Sequence, residues 1–187
     1  DSRIEAPLIS ADALAAAGAY QAMGATVDTR DDAIWRITGA AGRLQAPADV
    51  IDVGNSGTTL RMAVGSAALI REGAARFTGD AQIQRRPIGP LVQSLNDLGA
   101  RIACDQNNNC APLTVRGHLR GGRTSIEAVT SQYVTALLFN CPLADGDSDI
   151  DVPLLHERPY ARMTLDWLDY QGIELQHDGW QRFRITG

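Results

Sequence analysis

Three stretches of this 187-residue chain repeat one pattern, and that repeat limits the possible folds more than any other feature. Ala19 to Ala25 runs into a strand pair ending Arg36-Ile37-Thr38-Gly39, and Leu95 to Ala100 runs into one ending Leu113-Thr114-Val115-Arg116-Gly117. The third, Leu168 to Ile173, leads to Arg184-Ile185-Thr186-Gly187. Each reads as an amphipathic helix closed by a C-cap glycine and followed by a hairpin. The glycines, Gly24, Gly99 and Gly172, are spaced by 75 and 73 residues, so the unit is longer than a solenoid repeat and holds several elements.

Within the second unit, Asp49 to Val53 reads as a strand, Gly54 to Thr59 as a polar loop and Leu60 to Leu69 as a helix. Ala75 to Thr78 is a strand and Gly79 to Arg86 a loop. Pro87 to Leu98 is a helix with proline at its first position, and a hairpin about Asn107-Asn108-Asn109 closes the unit. The third unit repeats this order, with strands at Thr124–Ala128 and Asp149–Val152 and helices within Val129–Leu138 and Pro159–Leu168. The pattern is βαβαββ. Unit boundaries at 39 and 117 give residues 1–39, 40–117 and 118–187, so the first unit is about half the length of the others. A half unit leaves an apolar face uncovered. The expectation is a fragment whose natural start lies roughly thirty-odd residues upstream.

All seventeen basic residues are arginine, against twenty-two acids. Without lysine there is no Schiff base and no P-loop, so any anion must be held by arginine, hydroxyls or backbone N–H groups. A net charge of −5 with scattered bases, and 5% aromatic residues, argue against nucleic acid and membrane surfaces as partners. Cys104, Cys110 and Cys141 form no CxxC, so neither a disulfide framework nor a zinc site is expected, and a reduced, cytoplasmic setting fits. No metal or other cofactor is expected.

Motifs that carry chemistry fall at matching repeat positions. Gly54-Asn55-Ser56-Gly57-Thr58-Thr59-Leu60-Arg61 hands a strand to a helix, where unpaired N–H groups and the positive helix end favour an anion. An ordinary N-cap turn explains the same residues, and Arg61 fits a role bracing the loop. Val129-Thr130-Ser131-Gln132-Tyr133 is the counterpart, with hydroxyls and an amide in place of glycines. Gln84-Arg85-Arg86-Pro87-Ile88 and His156-Glu157-Arg158-Pro159-Tyr160 are also equivalent, each an Arg-Pro pair opening a helix. Such an arginine either holds a carboxylate bidentately or is a solvated charge at a loop tip.

These strings, with Thr78-Gly79-Asp80, Thr135-Ala136-Leu137-Leu138 and Met163-Thr164-Leu165, resemble the 5-enolpyruvylshikimate-3-phosphate synthase family over nearly the whole chain. The resemblance implies an α/β prism of βαβαββ units about a pseudo-threefold axis, one of two domains that close on a cleft, with the second domain as partner. It implies transfer of the carboxyvinyl group of phosphoenolpyruvate to the 5-hydroxyl of shikimate 3-phosphate through a tetrahedral intermediate, releasing phosphate. Carried over by motif, Thr130, Ser131 and Gln132 bind shikimate 3-phosphate, with Tyr160 and Arg158 along its ring and phosphate. Gly57, by its N–H, and Arg86 hold phosphoenolpyruvate, Gln132 also reaches it, and Asn55 and Thr58 shape the loop.

Two departures stand out. Thr130 replaces a usual serine but keeps the donor. Glu157 stands where the family commonly places a serine on the substrate phosphate, and a carboxylate there repels phosphate unless Arg158 intervenes. The family's lysine-serine motif and its acid/base carboxylates fall outside this sequence, so no catalytic residue is assigned and the chain alone is expected to bind without turnover. A related UDP-sugar enolpyruvyl transferase, whose reactive cysteine loop is missing here, and a non-catalytic anion-binding module are the alternative readings.

Overall fold

The structure is a computed structural model and describes residues 1–187. Eleven strands and five α-helices follow one another as β1 (Ser2–Glu5), α1 (Ala11–Ala22), β2 (Thr26–Asp28), β3 (Ile34–Thr38), β4 (Ile51–Asp52), α2 (Gly57–Ala67), β5 (Ala75–Thr78) and α3 (Gly89–Asp97). Next come β6 (Ala100–Cys104), β7 (Leu113–Gly117), β8 (Gly122–Ala128), α4 (Ser131–Asn140), β9 (Ser148–Leu155), α5 (Arg158–Tyr170), β10 (Leu175–Asp178) and β11 (Arg182–Ile185).

The strands form three separate sheets ordered β1-β3-β2, β4-β5-β7-β6 and β8-β9-β11-β10. In the two larger sheets the leading strand pairs parallel with the next, β4 with β5 and β8 with β9, and every other pairing is antiparallel. The small sheet has the strand order of the antiparallel part of the other two. Both larger units therefore fold as βαβαββ, and the first 38 residues fold as βαββ.

The glycine punctuation follows from local geometry. Gly24, Gly99 and Gly172 all take positive φ, at 103°, 110° and 72°, one residue beyond the C-caps Met23, Leu98 and Gln171. After α1 the N–H groups of Gly24 and Ala25 return to the carbonyls of Gln21 and Tyr20. After α5 those of Gly172 and Ile173 return to Asp169 and Leu168. Both are Schellman closures, which satisfy end carbonyls and redirect the chain into the hairpin. Asn107 and Asn109, also at positive φ, turn the hairpin between β6 and β7.

Several elements differ from the sequence expectation. β1 lies in a segment to which the repeat assigned nothing. The strand expected at Asp49–Val53 shortens to two residues, because only Ile51 and Asp52 pair with β5. Helix α2 starts at Gly57, inside the expected polar loop, since Ser56 caps it. Helix α3 starts at Gly89, with Pro90 rather than Pro87 in its first turn.

The helices bury their apolar faces against the sheets in one continuous core that includes Leu60, Phe77, Leu91, Leu113, Tyr133, Leu137 and Phe183. Three helices from different units meet through polar groups within it. Tyr20 Oη lies 3.0 Å from Ser66 Oγ, Ser66 donates to Asn140 Oδ1 at 2.9 Å, and Asn140 Nδ2 donates to the Ala136 carbonyl at 2.7 Å. Burial pushes the Tyr20 phenol above its ordinary pKa, so it stays a donor. A Cβ on Gly65 would lie 2.6 Å from Asn140 Nδ2, so glycine is needed for this approach. No helix is long and apolar enough to cross a membrane.

Candidate functional site

The chain leaves β4 through Gly54, at φ 57°, and enters α2 three residues later. Ser56 Oγ accepts from the Thr59 N–H at 3.2 Å and donates to Thr59 Oγ1 at 2.8 Å, fixing the start of the helix. A Cβ on Gly57 would lie 2.7 Å from a guanidinium nitrogen of Arg61 and 3.1 Å from one of Arg86. Glycine thus lets two cations lie against the first turn of α2, at its positive end.

The loop that carries Arg86 is tied to this turn. Asp80 N–H donates to the Gly54 carbonyl at 2.8 Å, and Asn55 Nδ2 donates to Asp80 Oδ2 at 2.7 Å. The other Asp80 oxygen accepts from the N–H groups of Gln82 and Ile83. These bonds, that of Ile83 foremost, hold the Asp80 carboxyl below the usual carboxylate range. A Cβ on Gly79 would meet the Gly54 carbonyl at 2.7 Å, so the two loops can touch only through glycine. Arg86 Nη2 reaches Asn55 Oδ1 at a long 3.4 Å, which leaves most of the fork free.

At the equivalent point of the third unit, Thr130 caps α4 and Ser131 is its first residue. The donors of this turn converge on one atom. Glu157 Oε2 accepts from Thr130 Oγ1 at 3.1 Å, from the Ser131 N–H at 3.1 Å and from Ser131 Oγ at 3.2 Å. The Ser131 N–H, then the Thr130 hydroxyl, hold the Glu157 carboxyl below its ordinary value. Glu157 itself sits at φ 56° and ψ 39°, a left-handed conformation unusual for a residue with a side chain. Arg158 does not intervene: it is exposed and forms no ion pair with Glu157 or any other acid.

One amide joins the two turns. Gln132 Nε2 donates to Thr58 Oγ1 at 3.0 Å, and Gln132 Oε1 accepts from Arg61 Nη1 at 2.9 Å. The same Arg61 nitrogen donates to the Gly57 carbonyl at 3.1 Å, and its guanidinium lies 5.5 Å from the Tyr133 ring centroid. Tyr133 Oη donates to the Pro87 carbonyl at 2.8 Å, next to Arg86.

Thr58, Ser131, Gln132 and Glu157 face an open pocket of about 680 Å³, whose other wall is Met62, Phe139, Tyr160, Met163 and Trp167. A larger cavity of about 900 Å³ lies beneath α5. Its five carboxylates, from Asp147, Asp149, Asp166, Asp169 and Glu174, outnumber Arg162 and Arg184 and suit it poorly to an anion.

Of the residues singled out from the sequence, Asn55, Gly57, Thr58 and Arg86 form one cluster, and Thr130, Ser131 and Gln132 form the other, joined by Gln132. Tyr160 lines the pocket but is largely exposed, and Arg158 is drawn into neither cluster. Asp80, to which the sequence alone assigns no role, pins the two loops together. Its signal was an aspartate just after a strand, where a side-chain oxygen commonly takes the next free N–H groups.

The architecture and the paired helix-entry turns define a domain of the enolpyruvyl transferase type. A family model described as EPSP synthase (3-phosphoshikimate 1-carboxyvinyltransferase) matches residues 1–187, and the chain belongs to that family. It is 47% identical over 186 residues to the 3-phosphoshikimate 1-carboxyvinyltransferase of Acetivibrio thermocellus, an alignment covering 100% of this chain and 44% of that protein. Identity to the protein of the same name from Methanothrix thermoacetophila is also 47%, over 98% of this chain and 43% of that one. The EPSP synthase structure from Acinetobacter baumannii superposes with a TM-score of 0.84 at 24% identity, covering all of this chain and 41% of that one. The chain thus spans less than half the length of the relatives it matches.

Proposed function

We propose that this chain is the substrate-binding half of a carboxyvinyl transferase that joins phosphoenolpyruvate to the 5-hydroxyl of shikimate 3-phosphate. The observation that carries this reading is the Gln132 amide, held between Thr58 and Arg61, which makes a single site of two turns far apart in sequence. Thr130 and Ser131 offer two hydroxyls and a helix-end N–H to the phosphate of shikimate 3-phosphate, with Tyr160 and Gln132 beside its ring. Arg86 and the Gly57 N–H take the carboxylate and phosphate of phosphoenolpyruvate. Shikimate 3-phosphate and phosphoenolpyruvate would thus lie side by side, with the 5-hydroxyl near the vinyl carbon that accepts it.

In the reaction, the 5-hydroxyl gives up its proton and its oxygen adds to C2 of phosphoenolpyruvate as C3 gains a proton, giving a tetrahedral adduct. Loss of a proton from the resulting C3 methyl and of inorganic phosphate then restores the double bond in the product. Both C3 proton transfers need an acid/base group, and the carboxylates at this site, Asp80 and Glu157, are each taken up by internal donors rather than turned to a substrate. The chain therefore binds without turning over, and the partner of this half is the remainder of the enzyme.

Calorimetric titration tests the reading. Shikimate 3-phosphate should bind the chain, and both Ser131→Ala and Gln132→Ala should weaken that binding by roughly tenfold each. Mixing the chain with both substrates should release no phosphate in a coupled assay. Binding untouched by both substitutions, or sustained phosphate release, would overturn the reading.

A further inference from the structure

Given the phosphate reading of the Thr130–Ser131 pair, on which this rests, we propose that Glu157 determines specificity at the site. Its carboxylate is a built-in anion that a substrate phosphate must displace.

The stoichiometry of protons carries the inference. Thr130 Oγ1, Ser131 Oγ and the Ser131 N–H have one proton each, and all three point to Glu157 Oε2, at 3.1, 3.2 and 3.1 Å. A phosphate oxygen cannot use those protons while the carboxylate keeps them. Nor can the two anions share the turn, because like charges at hydrogen-bonding distance repel. Arg158, the adjacent candidate, pairs with no acid.

The backbone is set for this contact. Glu157 bends the chain between β9 and α5 in the left-handed region, at φ 56°, and its side chain reaches back 26 residues to α4. A residue with a Cβ is disfavoured there, and three bonds to a charged group offset that cost.

A ligand that must first expel Glu157 binds with its intrinsic affinity reduced by the fraction of molecules in which the turn is free. Inorganic phosphate, with no further contacts, is excluded. A phosphorylated ring that also reaches Gln132 and Tyr160 has other contacts to draw on. Glu157 thereby makes the site select for the whole substrate over its phosphate alone.

Titrations of the 187-residue chain with shikimate 3-phosphate, inorganic phosphate and unphosphorylated shikimate test this directly. Glu157→Ser, which removes the competitor, should tighten shikimate 3-phosphate on the order of tenfold and inorganic phosphate at least as much, leaving shikimate unchanged. Glu157→Gln, neutral but still an acceptor, should fall between parent and Glu157→Ser. The Ser131 amide proton should move upfield in both variants as it loses a charged acceptor. Unchanged or weaker phosphate binding in both variants, each melting as the parent does, would overturn the proposal, as would an unmoved Ser131 amide. If Glu157→Ser tightens binding and Ser131→Ala in that background leaves it tight, the phosphate reading of the pair fails rather than the competition. If none of the variants binds any of the three ligands, both fail.

Discussion

The turns into α2 and α4 occupy the same place in the repeat and solve the same problem in opposite ways. Both end a strand that runs parallel to its neighbour, and both open a helix through a hydroxyl cap. At α2 the side chains have been stripped back to glycine, and the space is filled by Arg61 and Arg86. At α4 the hydroxyls remain, and the space is filled by Glu157. One turn is a cationic seat with spare donors, and the other has its donors committed to an internal anion. Equivalent backbone geometry therefore does not fix the charge of a site. The side chain that arrives from the following loop does, here Arg86 in one unit and Glu157 in the next.

The comparison breaks most severely if the group common to both turns is removed. Arg61→Ala strips the Gly57 carbonyl and Gln132 Oε1 of a donor and uncovers the Tyr133 ring, so it should cost about 2 kcal/mol in urea unfolding and loosen both turns together. An effect below ~0.5 kcal/mol would show that they are independent. A finer contrast lies in the caps. Ser56 is buried and bonds Thr59 through both its hydrogen and its lone pair, whereas Thr130 is only half-buried and has water as a substitute. Ser56→Ala should cost about 1–2 kcal/mol and Thr130→Ala less than about 1 kcal/mol. Equal losses would contradict the contrast.

The smallest effect is in acid. The folded-state pKa of Glu157 lies below the ordinary 4.5, so its contacts are complete above that value and are lost as pH falls through the depressed pKa. A carbon-detected titration should place its midpoint under 4.5, with the Ser131 amide following the same curve. A midpoint at or above 4.5 would show that the carboxylate is not held there.

What the sequence made legible was what local chemistry encodes. Gly24, Gly99 and Gly172 revealed the period because only a residue without Cβ readily takes the positive φ that ends each helix there. The hydroxyls of Thr130 and Ser131 marked the entry to α4. The start of α2 lies ahead of the expected Leu60 because, although Gly57, Thr58 and Thr59 are poor helix formers, burial overrides that preference. The Arg61–Gln132 bond spans 71 residues and the Glu157–Ser131 bond 26, and neither leaves a local trace. The sequence marked Glu157 as a misfit for a phosphate site. It took the structure to show where the carboxylate goes.

The chain of bonds from Tyr20 through Ser66 to Asn140 has a further consequence. In a linear array of repeats each unit touches only its neighbours, so an end can fray while the middle stays folded. Here α1, α2 and α4, one from each unit, share a single buried polar relay. Withdrawing α2 strands Tyr20 and Asn140 together, and withdrawing α1 or α4 leaves Ser66 short of a partner, so no unit can be opened without a cost to its neighbour. Backbone amides of the three helices should therefore exchange with solvent deuterium through one common opening, at the free energy of the whole fold. The symmetry that repeats the unit also abolishes its autonomy.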